Sequence, residues 1–287
     1  MNLIFISQKK IKFIDLFSGC GGFSDGFLKS GKYEAVAHVD WEIEPIKVLR
    51  NRLIDKWNYS EKKSKKSAIH FDLQKHEELL YGNLSDESLE KYGNTNSENF
   101  LSKGLLGITG NQNIDLIIGG PPCQAYSIAG RAQDKDSMVN DYRNYLFESF
   151  LEVVKKIRPK LFVFENVPGI LSAMPGGVNI LEKIFISFKD HGYKILEPRF
   201  LKQAKFDLSK FGIPQKRERL FIIGLRSDSS HYLNNIYFDI REKESDKTVS
   251  LRAAIGKFPR FMPKKEDKEI VYEQKSGESM PDHFPRY

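Results

Sequence analysis

Cys123 stands at the end of Asp115-Leu-Ile-Ile-Gly-Gly-Pro-Pro-Cys123, just before Gln124-Ala-Tyr-Ser127. Leu116-Ile117-Ile118 has the length and branching of a buried strand, and Gly119-Gly120-Pro121-Pro122 ends it abruptly. In an open parallel sheet, groups just past the carboxyl end of a strand face the ligand crevice. A thiol presented there is a candidate nucleophile, reactive as its thiolate. Most free cysteines are instead small buried thiols. The two prolines before it and the polar run behind it (Gln124, Ser127, Arg131, Gln133, Asp134) argue against a core position.

Acidic and basic residues recur at the ends of other apolar runs. Leu161-Phe162-Val163-Phe164 leads into Glu165-Asn166-Val167-Pro168, so a carboxylate occupies another strand end. A glutamate there is often only a surface cap, and this one gains its interest from the cysteine. Ala35-Val36-Ala37-His38-Val39 ends at Asp40, about 20 residues after Gly21, where doubly wound folds place a carboxylate on ribose hydroxyls. Trp41 follows it, suited to stacking on a purine. Ala68-Ile69-His70-Phe71 ends at Asp72, a candidate acceptor for an adenine amino group. Further on, Gln215, Arg217 and Arg219 alternate with Lys216 and Glu218 ahead of the apolar Leu220 to Ile223, which suggests an anion or substrate clamp.

The elements that must carry these groups alternate between strand and helix. Lys12 to Phe17 reads as a first strand buried on both faces. It runs into Ser18-Gly19-Cys20-Gly21-Gly22 and a helix from about Ser24 to Ser30. A strand, a glycine turn and a helix open a nucleotide-binding α/β unit, although the spacing is not the dinucleotide fingerprint. With Asp40 and Trp41, this unit points to an adenosine-containing cofactor. A helix with Ile46, Leu49 and Leu53 on one face comes next. Residues 57–67 read as a solvated charged run, and residues 74–113 as a surface helix with a variable insertion and no chemistry. The polar segment 124–142 has the length of a lid over a site. Helices are expected from about Tyr142 to Ile157 and from Val178 to His191, with an extended stretch from Tyr193 to Ala204. From Ser227 onward the chain looks charged and irregular.

Composition narrows the class. Hydrophobic residues make up 40% of the chain and charged ones 29%, as in a soluble globular protein. No apolar run approaches membrane-spanning length, and Leu3-Ile4-Phe5-Ile6 is too short for a signal-peptide core, which points to a cytoplasmic protein. Two cysteines cannot build a disulfide framework and lack metal-ligand spacing, so no metal is expected. Forty-five basic against 38 acidic side chains leave a net charge of +7, compatible with a polyanionic partner without demanding one.

Four segments taken together, Asp15-Leu-Phe-Ser-Gly-Cys-Gly-Gly22, Gly120-Pro-Pro-Cys-Gln124, Glu165-Asn-Val167 and Gln215-Lys-Arg-Glu-Arg219, closely resemble the cytosine-5 DNA methyltransferases over about residues 11–226. The resemblance implies an α/β fold, a doubly wound, mostly parallel sheet of the Rossmann-like S-adenosylmethionine-dependent type. It implies that Phe17, Gly19 and Gly22 line the S-adenosylmethionine site, with Asp40 on the ribose, Trp41 against adenine, and Asp72 with Leu73 at the adenine edge. Gly120 and Pro122 would flank the methionine part, and Leu146 would be a further cofactor contact. Cys123 would be the nucleophile, Glu165 the acid engaging cytosine N3 and its amine, and Arg217 and Arg219 the arginines supporting the site.

The implied substrate is double-stranded DNA with the target cytosine flipped out, since a base inside a stacked duplex is out of reach. Gln124, Ser127 and Arg131 are candidates to touch the displaced strands. The implied setting is a bacterial restriction-modification system, cytoplasmic and nucleoid-associated. Residues 1–226 would form the catalytic and cofactor-binding domain. Residues 227–287 would lead towards a target-recognition domain, leaving the C-terminal part of the fold incomplete. A second polypeptide could then supply the recognition domain in a split enzyme inactive alone. A tRNA cytosine-5 methyltransferase and a non-catalytic DNA-binding subunit are the other readings. The recognition sequence is not legible here, because base contacts come from that domain.

Overall fold

The computed structural model describes residues 9–122, 146–174 and 177–256. Short apolar runs rich in branched and aromatic residues form the strands: β1 (Ile11–Leu16), β2 (Tyr33–Asp40), β3 (Ala68–His70), β4 (Leu116–Gly119) and β5 (Leu161–Asn166). They pair in parallel in the order β3-β2-β1-β4-β5. Beyond them come β6 (Tyr193–Lys194), β7 (Lys205–Asp207) and β8 (Glu218–Arg226). β8 runs antiparallel to both β5 and β6. The chain first winds outward from β1 to β3, then returns across β1 to β4 and β5. That reversal opens a crevice between the carboxyl ends of β1 and β4. Register keeps the ends level, with Leu16 opposite Gly119 and Gly119 opposite Phe164.

Both faces of the sheet are covered. On one, Phe13, Ala35, Leu116 and Ile118 pack with Leu28 of α1 (Gly22–Lys29) and with Ile46, Leu49 and Leu53 of α2 (Ile43–Asp55). Each leucine, isoleucine or phenylalanine among them contributes about 1.5–3 kcal/mol on full burial. Asp25 fastens these two helices, accepting from Arg52 and Lys56 on one oxygen and from the Trp57 indole on the other. On the opposite face the alternation along β5 turns Phe162 and Phe164 inward. There they meet Phe150 of a helix at Leu146–Ile157 and Phe188 of one at Ile180–Asp190, the Phe162 and Phe188 rings stacking at 4.2 Å.

Two stretches depart from the sequence expectation. Residues 57–67 hold a helix, α3 (Glu61–Ser67), capped by Ser60; its buried Ser64 hydroxyl donates to the Arg50 carbonyl. Residues 74–113 form α4 (His76–Tyr81), α5 (Asp86–Tyr92) and α6 (Glu98–Thr109) around buried Leu79, Leu80, Tyr92, Phe100, Leu105 and Ile108. Apolar residues there are sparse but meet across three short helices, a pattern no single helical period reveals. α6 kinks at Gly104 (φ 60), where a Cβ would lie 2.4 Å from the Gly82 nitrogen. Backbone therefore crosses backbone at that point, and only glycine fits. The helices at Leu146–Ile157 and Ile180–Asp190 are α7 and α8.

The chain divides into two compact units, residues 1–206 with 218–240, and residues 207–217 with 241 onward. The expectation of irregular chain after Ser227 is corrected for residues 227–241 and 251–255, while residues 257–287 lie outside the described residues. A 3-10 segment (Ser227–Tyr232) leads into α9 (Leu233–Arg241), whose Tyr237 hydroxyl accepts from the Ile223 N–H and donates to the Phe221 carbonyl, both at 2.9 Å. Buried Leu233 and Tyr237 anchor that helix on β8. Likewise the stretch expected to be extended, Tyr193 to Ala204, is extended only at β6 and then turns into a 3-10 helix from Pro198. In the second unit, Lys210 pairs with Glu244, and Ser250 caps α10 (Leu251–Ile255). Among the described residues no helix is long and apolar enough to cross a membrane.

Candidate active site

The carboxyl edge gathers most of the residues singled out from the sequence. At the end of β1, Phe17 takes φ 59, a conformation uncommon outside glycine. The Ser18 N–H donates to the Val39 carbonyl and the Gly19 N–H to Asp40 Oδ2 at 2.8 Å. Asp40 also accepts from the Glu42 N–H through Oδ1. The glycine turn and the acid ending β2 are thus one hydrogen-bonded unit. A carboxylate offers about four lone-pair positions, so Asp40 keeps acceptor capacity for hydroxyl donors. A Cβ built on Gly19 or Gly22 would meet nothing within 4 Å, so the turn faces open space. Trp41, 44% exposed, offers an indole beside it.

β3 completes this side. The Phe71 N–H donates to the Asp40 carbonyl, and His70 Nε2 lies 3.1 Å from the Trp41 carbonyl. Half-buried Asp72 holds the Gln74 N–H through one carboxylate oxygen. An open glycine turn, a carboxylate, an exposed indole and a second carboxylate suit an adenosine-containing cofactor. Leu73 and Leu146, expected against that cofactor, are both buried, Leu146 as the first residue of α7.

Across the crevice the groups are held differently. Glu165 is the fifth residue of β5, and Arg219 enters β8 beside it. Arg219 Nε lies 2.7 Å from Glu165 Oε1, with the two side chains 16% and 23% exposed, and Arg219 Nη1 donates to the Glu218 carbonyl. Such a charge-assisted contact fixes the plane of the carboxyl group. The other oxygen, Oε2, lies 2.8 Å from where a Cβ on Gly120 would stand. Gly120 therefore makes room for the glutamate, linking the ends of β4 and β5. Cys123 follows three residues later in the chain. Cys123, Gln124, Ser127 and Arg131 lie outside the described residues, as does the expected lid; Pro122 is half-buried just before them.

The basic motif does not hold together as one strand face. β8 begins at Glu218, so strand alternation reaches Arg219 but not Gln215 or Arg217. Gly212 (φ 80) and a tight turn from Gln215 N–H to the Ile213 carbonyl break the extended backbone before it. Arg217 belongs to the second unit, where its carbonyl accepts from the Leu208 N–H.

Two residues of the site region carried no role in the sequence reading. Asp15 is 1% exposed within β1 and accepts from the Ser24 hydroxyl of α1. Burial pushes its carboxyl up to about 7, partly offset by the Ser24 bonds and reinforced by Asp40. An acid inside the apolar run Phe13-Ile-Asp-Leu-Phe17 was the available signal. Asn166 is also buried; its Oδ1 accepts from the Val167 N–H, while its Nδ2 has no partner among the described residues. Among the described residues no cluster of His, Cys, Asp or Glu could hold a metal.

Known proteins resemble this chain in sequence and fold. A solved structure of a candidate DNA modification methyltransferase encoded within an E. coli prophage superposes with a TM-score of 0.55 and 25% identity, covering 88% of this chain and 56% of that one. The Type II methyltransferase M.Bpa9945I of Bacillus paralicheniformis is 32% identical over 279 residues, covering 88% of this chain and 61% of its own length. The DNA (cytosine-5-)-methyltransferase M.ApeKI of Aeropyrum pernix is 34% identical over 230 residues, 75% of this chain and 44% of its own. The chain spans about half the length of the curated relatives it matches. The family model for the C-5 cytosine-specific DNA methylase matches residues 11–83 and 90–279. With its Rossmann-like sheet and a glutamate held at the end of β5, this chain belongs to the C-5 cytosine-specific DNA methylases.

Proposed function

We propose that this chain carries the cofactor pocket and the cytosine-activating groups of a DNA cytosine-5 methyltransferase belonging to a bacterial restriction-modification system. The observation that carries the reading is the Glu165–Arg219 pair packed against Gly120, three residues before Cys123 in the chain. When bound, S-adenosylmethionine supplies an electrophilic methyl group on a sulfonium. Its adenosine would rest on Trp41, Asp40 and Asp72, and its methionine part beside Phe17, Gly19, Gly22, Gly120 and Pro122.

Cytosine C5 is too weak a nucleophile to take that methyl unaided. In this reading the Cys123 thiolate adds at C6, which makes C5 enamine-like and divides one hard step into easier ones. Negative charge then gathers on the ring. Glu165, sharing a proton at N3 and accepting from the exocyclic amine, offsets it. Arg219 fixes which carboxyl oxygen faces the base, and Arg217 adds positive charge that favours the thiolate. After transfer the C5 proton leaves to a base and the C6–sulfur bond breaks, restoring aromaticity. The cytosine must be out of the stack throughout, with segment 124–142 closing over it and Gln124, Ser127 and Arg131 on the displaced strands.

The test is a covalent trap. The chain, alone and with its genomic neighbour, is mixed with S-adenosylmethionine and duplex DNA carrying 5-fluorocytosine. An adduct on Cys123, lost in Cys123→Ser, supports the proposal. No adduct under either condition, together with no C5 methylation in DNA from cells expressing both polypeptides, overturns it.

A further inference from the structure

The opposite edge of the sheet holds a second concavity with its own chemistry. A cavity of about 360 Å³ is lined by Lys156, Arg158, Lys160 and Arg226, with Asp115 as its single acid. It lies at the amino ends of β4 and β5. The four residues of β4 separate Asp115 from Gly120, five steps or about 16 Å at the usual rise, so the cavity is separate from the edge bearing Glu165.

Two of its cations are already matched. Lys160 Nζ lies 2.9 Å from Asp115 Oδ1, and Arg226 grips Asp228 through Nε at 3.1 Å and Nη2 at 2.7 Å. Lys156 and Arg158 have no carboxylate partner among the described residues. Lys156 Nζ sits over the Tyr81 ring at 4.6 Å, and Arg158 spans the Tyr193 ring while donating to the His191 carbonyl. The carboxyl ends of α6 and α7 close on the same cavity and repel an anion. Each helix end carries only about half a charge, against two uncompensated cations. Leu106, Ile114 and Ile157 form an apolar wall, and Gln112 and Asn113 supply amides at the rim. Arginine beside lysine suits phosphate oxygens, and the volume lies in the range of small-ligand sites.

We propose that this cavity binds a small polyphosphate anion, free or as part of a nucleotide. Two unmatched cations ask for at least two phosphate charges, and the apolar wall leaves room for a nucleoside beside them. The proposal does not depend on the methyl-transfer reading.

Isothermal titration of the full chain with inorganic pyrophosphate, and separately with ATP, tests it. The expected result is saturable one-to-one binding below millimolar concentration, weakened at least about tenfold in both Lys156→Glu and Asn113→Asp. Asn113→Asp adds charge at an exposed rim residue whose side chain makes no hydrogen bond or ion pair among the described residues, so it keeps the test valid if Lys156→Glu folds poorly. Equal affinity for the two ligands assigns the site to the phosphates; tighter ATP binding seats the nucleoside on the apolar wall. No saturable binding of either ligand, or binding that neither variant weakens, overturns the proposal. It falls equally if only duplex DNA binds and Lys156→Glu abolishes that binding.

Discussion

The two sides of the crevice hold their groups by different means. On the β1–β2–β3 side the backbone does the holding: the Gly19 N–H sits on Asp40, the Phe71 N–H on the Asp40 carbonyl, and Phe17 is bent into a rare conformation. On the β4–β5–β8 side one side chain holds another, Arg219 on Glu165, with Gly120 leaving the gap. In the cradle the donors are backbone N–H groups, and two of them rest on the Asp40 carboxylate. A pair of side chains fails when either is altered by a single atom type.

The largest expected effect comes from removing the charge on the side-chain half. Glu165→Gln should lower methyl transfer by roughly 10²–10⁴-fold, the usual worth of a positioned acid–base group, while leaving cofactor affinity unchanged. Equilibrium dialysis with labelled S-adenosylmethionine beside a methylation assay separates the two; equal loss in both would erase the distinction between the halves. Asp40→Ala strikes the other side. It deprives the Gly19 N–H of its acceptor and should weaken cofactor binding roughly 10–100-fold, as expected for one or two bonds to a charged group. Unchanged affinity would mean the cofactor does not rest on β2.

Smaller effects sharpen the contrast. Arg219→Lys keeps the charge but loses the planar guanidinium, so turnover should fall about tenfold with the melting temperature nearly constant. A variant as active as the parent would show that Glu165 needs no such partner. Gly120→Ala should leave the fold intact, because the atom it meets is the tip of a flexible side chain. Displacing the Glu165 oxygen should still slow transfer severalfold, and full activity would mean the carboxyl swings free of β4.

The smallest effect is one of stability. Asp15 and His38 are register partners on β1 and β2, both buried, and they titrate in opposite senses. Burial raises Asp15 from 3.8 to about 7, so the folded chain holds that proton more tightly; the stability this gives is present at low pH and is lost as pH rises from about 4 to 7. Burial lowers His38 from 6.5 to about 4, so its contribution is present above 6.5 and is lost as pH falls towards 4. The two slopes oppose each other in the parent. In Asp15→Asn only the His38 slope remains, and stability should rise more steeply with pH between 4 and 6.5. Thermal melts across that interval check this, and parallel curves for parent and variant would refute the assignment.

The strand-forming runs were plain in the linear chain, and so were the groups at their ends. Branched and aromatic residues in blocks of four to six, cut off by glycine, proline or an acid, can hardly form anything but buried strands. That alone placed Asp40, Gly120 and Glu165 at one edge. The helices at 61–67 and 76–109 were hidden, because polar residues dominate there and the few apolar ones find partners only across helices. Arg217 and Arg219 looked equivalent by alternation, but β8 begins at Glu218, so only Arg219 lies in the strand.

Local composition thus determined the α/β class, the order of strand and helix, and the residue types available for chemistry. These rest on periodicity and backbone freedom, which each short stretch settles for itself. Tertiary structure alone decided that Asp40 caps the Gly19 turn, that Arg219 pairs with Glu165, that Gly120 leaves the gap the Glu165 carboxyl fills, and that four cations converge at the far edge. Those outcomes depend on strand order and register, which bring together residues distant in sequence, and no local pattern encodes that distance.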